Sequence, residues 1–182
     1  MVYDGVIEGK FVKLRSIDVG DAEFSFNARN DGKAKGKVGQ QVESIETQRN
    51  YIIKQREQPG DYYFVVTDRN DNPIGLYGIY DISGDTCEIG REVCLGNAAQ
   101  ALETEILAIE FVRDILKLKY VTYVIYTSNK HHVKMQEKLG HSPKQVVWRA
   151  GVECNEYVVS VEKAVKSQER IKSKLAKLAN HI

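Results

Sequence analysis

The sequence predicts a single α/β domain, on three observations. Residues 60 to 140 run strand, strand, strand, helix, strand, helix without a break. The long helix in that series links two strands as a crossover, whereas the strands before it are joined by tight turns. At 182 residues the chain suits one sizeable core and is short for two.

The elements follow in order. Phe11, Val12, Leu14 and Ile17 mark a first strand, and Asp18 to Asp21 supply cap-type residues before a short helix carrying Phe24 and Phe26. Residues 31 to 41, polar and glycine-rich, have no apolar period and read as a loop, a candidate lid or substrate-facing segment. Ser44 with Thr47 precedes a helix that Pro59-Gly60 ends. Tyr62 to Asp68 is β-rich and closes at Arg69 to Pro73, and residues 74 to 82 resume the alternation, which makes a hairpin. After a turn at Ser83-Gly84-Asp85, residues 87 to 95 form a strand. Strict alternation puts Cys87, Ile89, Arg91 and Val93 on one face and Glu88, Gly90, Glu92 and Cys94 on the other.

Residues 101 to 119 carry Leu102, Ile106, Ile109 and Leu116 at helical spacing, flanked by Leu107, Phe111, Ile115 and Leu118, with no internal Gly or Pro. Residues 120 to 128 are almost all β-branched or aromatic and suit a strand buried on both faces. Asn129 ends it. A short helix follows, with Val133 and Leu139 inward and Gly140 as its stop; residues 144 to 151 and 155 to 161 then make a final hairpin. The last segment is a basic, weakly amphipathic helix or frayed tail, so the expected division is a domain over 1–162 and a C-terminal helix or tail over 163–182.

Composition excludes more than it names. The 26 basic and 25 acidic residues are spread along the chain, leaving no field that would recruit nucleic acid or an anionic membrane. No stretch approaches the roughly 18 apolar residues of a membrane helix, and the N-terminus lacks a basic start followed by an apolar run, so a cytoplasmic protein is expected. Cys87, Cys94 and Cys154 share no ligand spacing with one another or with the histidines. They argue against a disulfide framework and a metal site, and read as small buried hydrophobes.

The order of elements, with Glu88-Ile89-Gly90 before the long helix, Glu103-Thr104-Glu105 within its start, Asn129 closing the next strand and Gln136 to Gly140 after it, resembles the GCN5-related N-acetyltransferases. More narrowly it is similar to their ribosomal-protein and amino-sugar branch. The resemblance covers about Phe11 to Val161. It implies a mixed sheet of about six or seven strands with flanking helices, whose fourth and fifth strands splay apart to admit acetyl-CoA.

On this resemblance, backbone groups of Arg91, Glu92 and Val93 pair with the pantetheine arm, and the pyrophosphate rests on the amides that open the long helix, around Ala99, Gln100, Ala101, Leu102, Glu103 and Thr104. The family's phosphate loop is glycine-rich; here Ala101 takes a glycine's place and Glu103 brings a negative charge. Acetyltransferases of the pseudaminic acid pathway, which modify a nucleotide-linked amino sugar, also carry Glu-Thr at this place. The expected activity is therefore acetyl transfer to a small amine in a ternary complex, such as a nucleotide-linked amino sugar. The alternative is a catalytically silent binding module on the same fold.

Transfer requires a proton acceptor, a carbonyl-polarising group and a donor for the thiolate. Glu88 is the first candidate acceptor and Glu92 the second, each otherwise a solvated strand carboxylate. Gln136 stands where many relatives carry the acidic tyrosine and cannot supply a proton. His131 and His132 either serve that role, touch the cofactor, or do neither. Asn129 either bonds the pantetheine or caps the following helix. For the acceptor, Arg29 with Asn30 could bind a diphosphate and Tyr80 or Trp148 could stack on a ring, against bland readings as surface ion pair or core aromatic. The basic C-terminal helix reads as a solvated face or an oligomer contact, such as that of a homodimer, with binding to an anionic surface as the lesser reading.

Overall fold

The structure, a computed structural model, describes residues 1–32 and 42–179. Most of the loop expected to face the substrate, residues 33–41, lies outside the described residues. Among those described, eight strands form one mixed sheet in the order β1-β2-β3-β4-β5-β6-β8-β7. They are β1 (Val6–Glu8), β2 (Lys13–Ser16), β3 (Tyr62–Thr67), β4 (Pro73–Ser83), β5 (Thr86–Cys94), β6 (Tyr120–Tyr126), β7 (Gln145–Arg149) and β8 (Val152–Ser160). The sheet exceeds the expected strand count because β1, three residues long and paired at Ile7↔Leu14, is too short to show a period. Every neighbouring pair is antiparallel except β5 and β6.

Helices α1 (Ala22–Asn30) and α2 (Ile45–Glu57) cover one face, and α3 (Ala98–Asp114), α4 (Lys130–Lys138) and α5 (Val161–Ala179) the other. The central strand β3 shows why the chain folds this way: Phe64 and Val66 enter the cluster under α3, while Tyr63 and Val65 enter the one under α1 and α2. A run apolar at every position is the signature of a strand covered on both sides. The caps read from sequence are in place. Asp18 forms a capping box with Asp21 at the short 3₁₀ turn Val19–Asp21 before α1, and the Ser44 hydroxyl accepts from Thr47 N at 3.0 Å to open α2.

The long helix stops at Asp114, earlier than its apolar period suggests. Lys117 takes a positive φ of 57° and turns the chain back, while Leu116 and Leu118 still pack on the core. The C-terminal segment is helical and lies against α3 through buried Ala164, Gln168 and Leu175, with a Lys172–Glu110 ion pair. No helix among the described residues is long and apolar enough to cross a membrane.

Candidate active site

The site begins where β5 and β6 part. They pair in parallel only from Thr86↔Tyr120 to Ile89↔Tyr123. Beyond that, β5 stays with β4 as far as Cys94↔Gly75, and β6 stays with β8 as far as Tyr126↔Cys154. Each strand therefore turns one edge without a strand partner toward a shared gap, and such edges accept an extended chain as a further strand. On β5 that edge runs along residues 90–94.

A β-bulge lies where the strands part. Leu76 pairs with Val93 but Gly78 with Gly90, so Tyr77 alone faces both Arg91 and Glu92, and Arg91 adopts φ 52°. The inserted residue resets the alternation and corrects the face assignment read from sequence. Cys87, Ile89 and Glu92 turn toward α3, whereas Glu88, Arg91 and Val93 turn toward α1 and α2. Glu88 and Glu92, expected to share a face, lie on opposite sides of the sheet.

On the α1/α2 side, Glu88 is the centre of a polar cluster. Its Oε1 accepts from the Tyr80 hydroxyl at 2.9 Å and from Arg149 Nη1 at 2.8 Å, and its Oε2 accepts from Arg149 Nη2 at 2.7 Å. Arg91 lies 3.8 Å over the Tyr80 ring while its own Nη atoms reach the Tyr51 hydroxyl at 2.5 Å and Asp61 at 2.9 Å. One face of Tyr80 is thus already stacked, and its phenol is pushed well up, chiefly by burial and then by Glu88. Arg149 and Asp61 had no sequence signal, since each acts across a long stretch of chain. The side chain of Arg91 belongs to this cluster; only its backbone faces the gap.

On the α3 side, burial dominates. The Glu92 carboxyl is pushed up to about 7 by desolvation. Its Oε2 lies 3.4 Å from His132 Nε2, whose imidazole is lowered by burial and so is neutral at pH 7. His132 Nε2 is 3.3 Å from Gln136 Nε2, and Gln136 Oε1 is 2.7 Å from His141 Nδ1. Gln136, at the position the resemblance gives to the family's tyrosine, is fully buried between the two rings. Beneath Glu92 sits Glu105, fully buried, accepting the hydroxyls of both Tyr77 and Tyr123, its carboxyl raised by desolvation and then by Glu92.

The positions that the resemblance assigned to a phosphate loop are the first turns of α3 itself. Ala101 N donates to Asn97 O at 3.0 Å, so Ala101 is helical and no positive φ is asked of it. Asn97 caps the helix, its Oδ1 accepting from Ala99 N at 2.9 Å and Gln100 N at 3.1 Å, while Gln100 Oε1 accepts from Asn97 N at 2.8 Å. A diphosphate at this end has to displace the Asn97 side chain. Leu102 sits half-buried on the same turns. Glu103 does not face the gap: its oxygens accept from the backbone N–H groups of Lys10, Phe11 and Val12 at 2.8, 2.6 and 3.0 Å, tying α3 to the β1–β2 turn. Thr104 donates back to Gln100 O at 2.8 Å, and with Glu92, Gln100 and Ala101 it lines a narrow cleft between α3 and the β4–β5 edge.

The remaining predicted residues divide. Asn129 caps α4, its Oδ1 accepting from His132 N at 3.3 Å. Asn30 bonds Val42 through both amide atoms at 3.0 and 3.3 Å, while Arg29 is half-buried beside it at the end of α1. Trp148 is 69% exposed on the edge strand β7 and turns away from Glu88. Cys94, the last residue of β5, is exposed, contrary to expectation; Cys87 and Cys154 are buried. No group of side chains among the described residues could hold a metal ion.

The profile of the acetyltransferase (GNAT) domain matches residues 12–142. Among solved structures, a GCN5-related N-acetyltransferase from Brucella melitensis superposes with a TM-score of 0.80 at 15% identity, over 95% of this chain and 86% of that one. Apo FdhC, described as a nucleotide-linked sugar GNAT, gives 0.77 at 19% identity over 93% and 97%. The spermidine N-acetyltransferase of Vibrio cholerae, in complex with CoA and spermine, gives 0.75 at 19% identity over 85% and 98%. No curated protein sequence matches significantly.

Proposed function

The chain belongs to the GNAT acetyltransferase family, and on that premise we propose that it acetylates the amine of a nucleotide-linked amino sugar, with Glu88 as the proton acceptor. Acetyl-CoA supplies the activated acetyl group when bound. The observation that carries the reading is the parting of β5 and β6 one rung beyond Glu88, which places a carboxylate next to the gap on the face opposite the donor's helix α3.

The free edge of β5 over residues 90–94, which includes the bulge at Arg91, orients the donor arm. A neutral amine approaching from the α1/α2 side forms its N–C bond to the acetyl carbon as the C–S bond breaks. Glu88 takes the amine proton, directly or through water, and the departing thiolate takes a proton from solvent or from Glu92, whose carboxyl near 7 is partly protonated at neutral pH. Nucleotide-linked sugars are favoured over polyamines by the half-exposed Arg149 guanidinium on the acceptor face.

The test is a melting-temperature titration with acetyl-CoA, followed by transfer assays on a nucleoside-diphosphate amino sugar and on spermidine. A concentration-dependent rise and faster acetylation of the sugar nucleotide are expected. A flat response to millimolar acetyl-CoA overturns donor binding, and preference for spermidine overturns the acceptor class.

A further inference from the structure

Glu88 is covered in this structure, and its cover is the most detachable part of the cluster. The Arg149 fork closes over both carboxylate oxygens at 2.8 and 2.7 Å, leaving the Glu88 side chain 8% exposed. Tyr80, the other partner, is held in place by Arg91 stacked on its ring, and Arg91 is itself anchored by Asp61 and Tyr51. Among the described residues, Arg149 has no side-chain hydrogen bond or ion pair beyond those to Glu88. Its side chain is 52% exposed, it ends the outermost strand β7, and it precedes a tight turn in which Ala150 and Gly151 have φ of 48° and 76°. The guanidinium side of the pair is half exposed, so solute anions reach it from solvent although the carboxylate is buried. A phosphate offers the guanidinium the same two-pronged geometry as a carboxylate and carries more charge.

We propose that Arg149 is an anion-operated cover on the catalytic base: a phosphate or carboxylate carried by the acceptor draws the guanidinium off Glu88, and the carboxylate is then open to the amine. The proposal rests on the reading of Glu88 as the base. It makes Arg149 both a specificity residue and a switch, because an acceptor without an anionic group leaves the cover closed. Recognition and activation are then one event, with no bond made or broken beyond the exchange of ion pairs.

The experiment uses a neutral acceptor, the methyl glycoside of an amino sugar, at saturating acetyl-CoA, with and without millimolar inorganic pyrophosphate. Wild type is expected to acetylate the glycoside slowly and to be accelerated several-fold by pyrophosphate. Arg149→Ala is expected to acetylate the glycoside several-fold faster than wild type without pyrophosphate, to gain nothing from it, and to lose about ten-fold or more in kcat/KM for the sugar nucleotide. Arg149→Lys, which keeps the charge and loses the fork, falls between them and serves if the alanine variant is unstable. Absence of activation in wild type, or equal losses on both acceptors in the variants, reduces Arg149 to a structural strap and overturns the proposal. Unchanged turnover in Glu88→Gln is a different result, since it removes the base on which the proposal stands.

Discussion

Glu88 and Glu92 lie on the same strand, and the sheet between them gives each a different chemistry. Glu88 is surrounded by donors, a guanidinium fork and a phenol, on the face that α1 and α2 cover. Glu92 faces a neutral imidazole and lies above the buried Glu105 of α3, and burial pushes its carboxyl up to about 7. One inserted residue at Arg91 produces the difference. Without the bulge both carboxylates would lie on one face of the sheet; with it, one is paired to a guanidinium and the other buried beside an imidazole, the contrast on which the proposed roles rest.

The sharpest way to break this contrast is to neutralise the two in turn. Glu88→Gln is expected to lower kcat roughly 10³-fold, the scale of a lost general base, while the acetyl-CoA-induced rise in melting temperature is retained. Glu92→Gln is expected to change kcat by about ten-fold or less, because solvent can also protonate the thiolate. If the larger loss appears in Glu92→Gln, the two faces have exchanged roles.

The next effect is on stability. Glu105 accepts two buried phenol hydroxyls, so Glu105→Leu leaves those of Tyr77 and Tyr123 unpaired in the core. At a few kcal/mol for each stranded group, a loss of about 4 kcal/mol is expected, read as a lower urea midpoint. Tyr77→Phe in the same background should recover part of it. A variant as stable as wild type would mean that the α3 side does not depend on its buried acid.

Glu92 provides the pH-dependent arm. Its carboxyl moves from an ordinary value of 4.5 to about 7 on folding. Below pH 4.5 it is protonated in both states and has no effect. Between 4.5 and 7 the unfolded chain ionises first, so stability falls as pH rises, by on the order of 3 kcal/mol once above 7. Glu92→Gln should flatten this fall and be the more stable protein at pH 8. A parallel pH profile for the two would show that the carboxyl is not held up by burial.

These faces differ in how far they could be read from the residues alone. The strands and helices of residues 60–140 were legible because their periods are long and uninterrupted, as in β3 and α3. The gap was legible only through family likeness, and the bulge beside it was not: Cys87, Ile89, Arg91 and Val93 alternate so regularly that only Gly90 hints at an inserted residue. Glu103 looked like a charge beside a phosphate because its partners, the amides of Lys10, Phe11 and Val12, lie more than 90 residues away. Arg149 was overlooked for the same reason, acting on Glu88 across 61 residues of chain. Local pattern fixes which groups a strand carries; the tertiary fold decides which of them meet.

The smallest predicted effect bears on the donor side alone and concerns Asn97. Its side chain occupies the amides of Ala99 and Gln100, the groups a diphosphate would use at this helix end. Asn97→Ala removes a cap, which should lower stability by about 1 kcal/mol. It also frees both amides, so acetyl-CoA should bind several-fold more tightly, as measured by calorimetry at fixed salt. The two changes have one origin, since the energy that the cap gives the unliganded helix is what an incoming phosphate must replace. Tighter binding with lower stability places the diphosphate at α3. Weaker binding makes Asn97 a direct contact of the donor, and unchanged binding puts the diphosphate elsewhere, leaving the β5 edge to hold the donor by its arm.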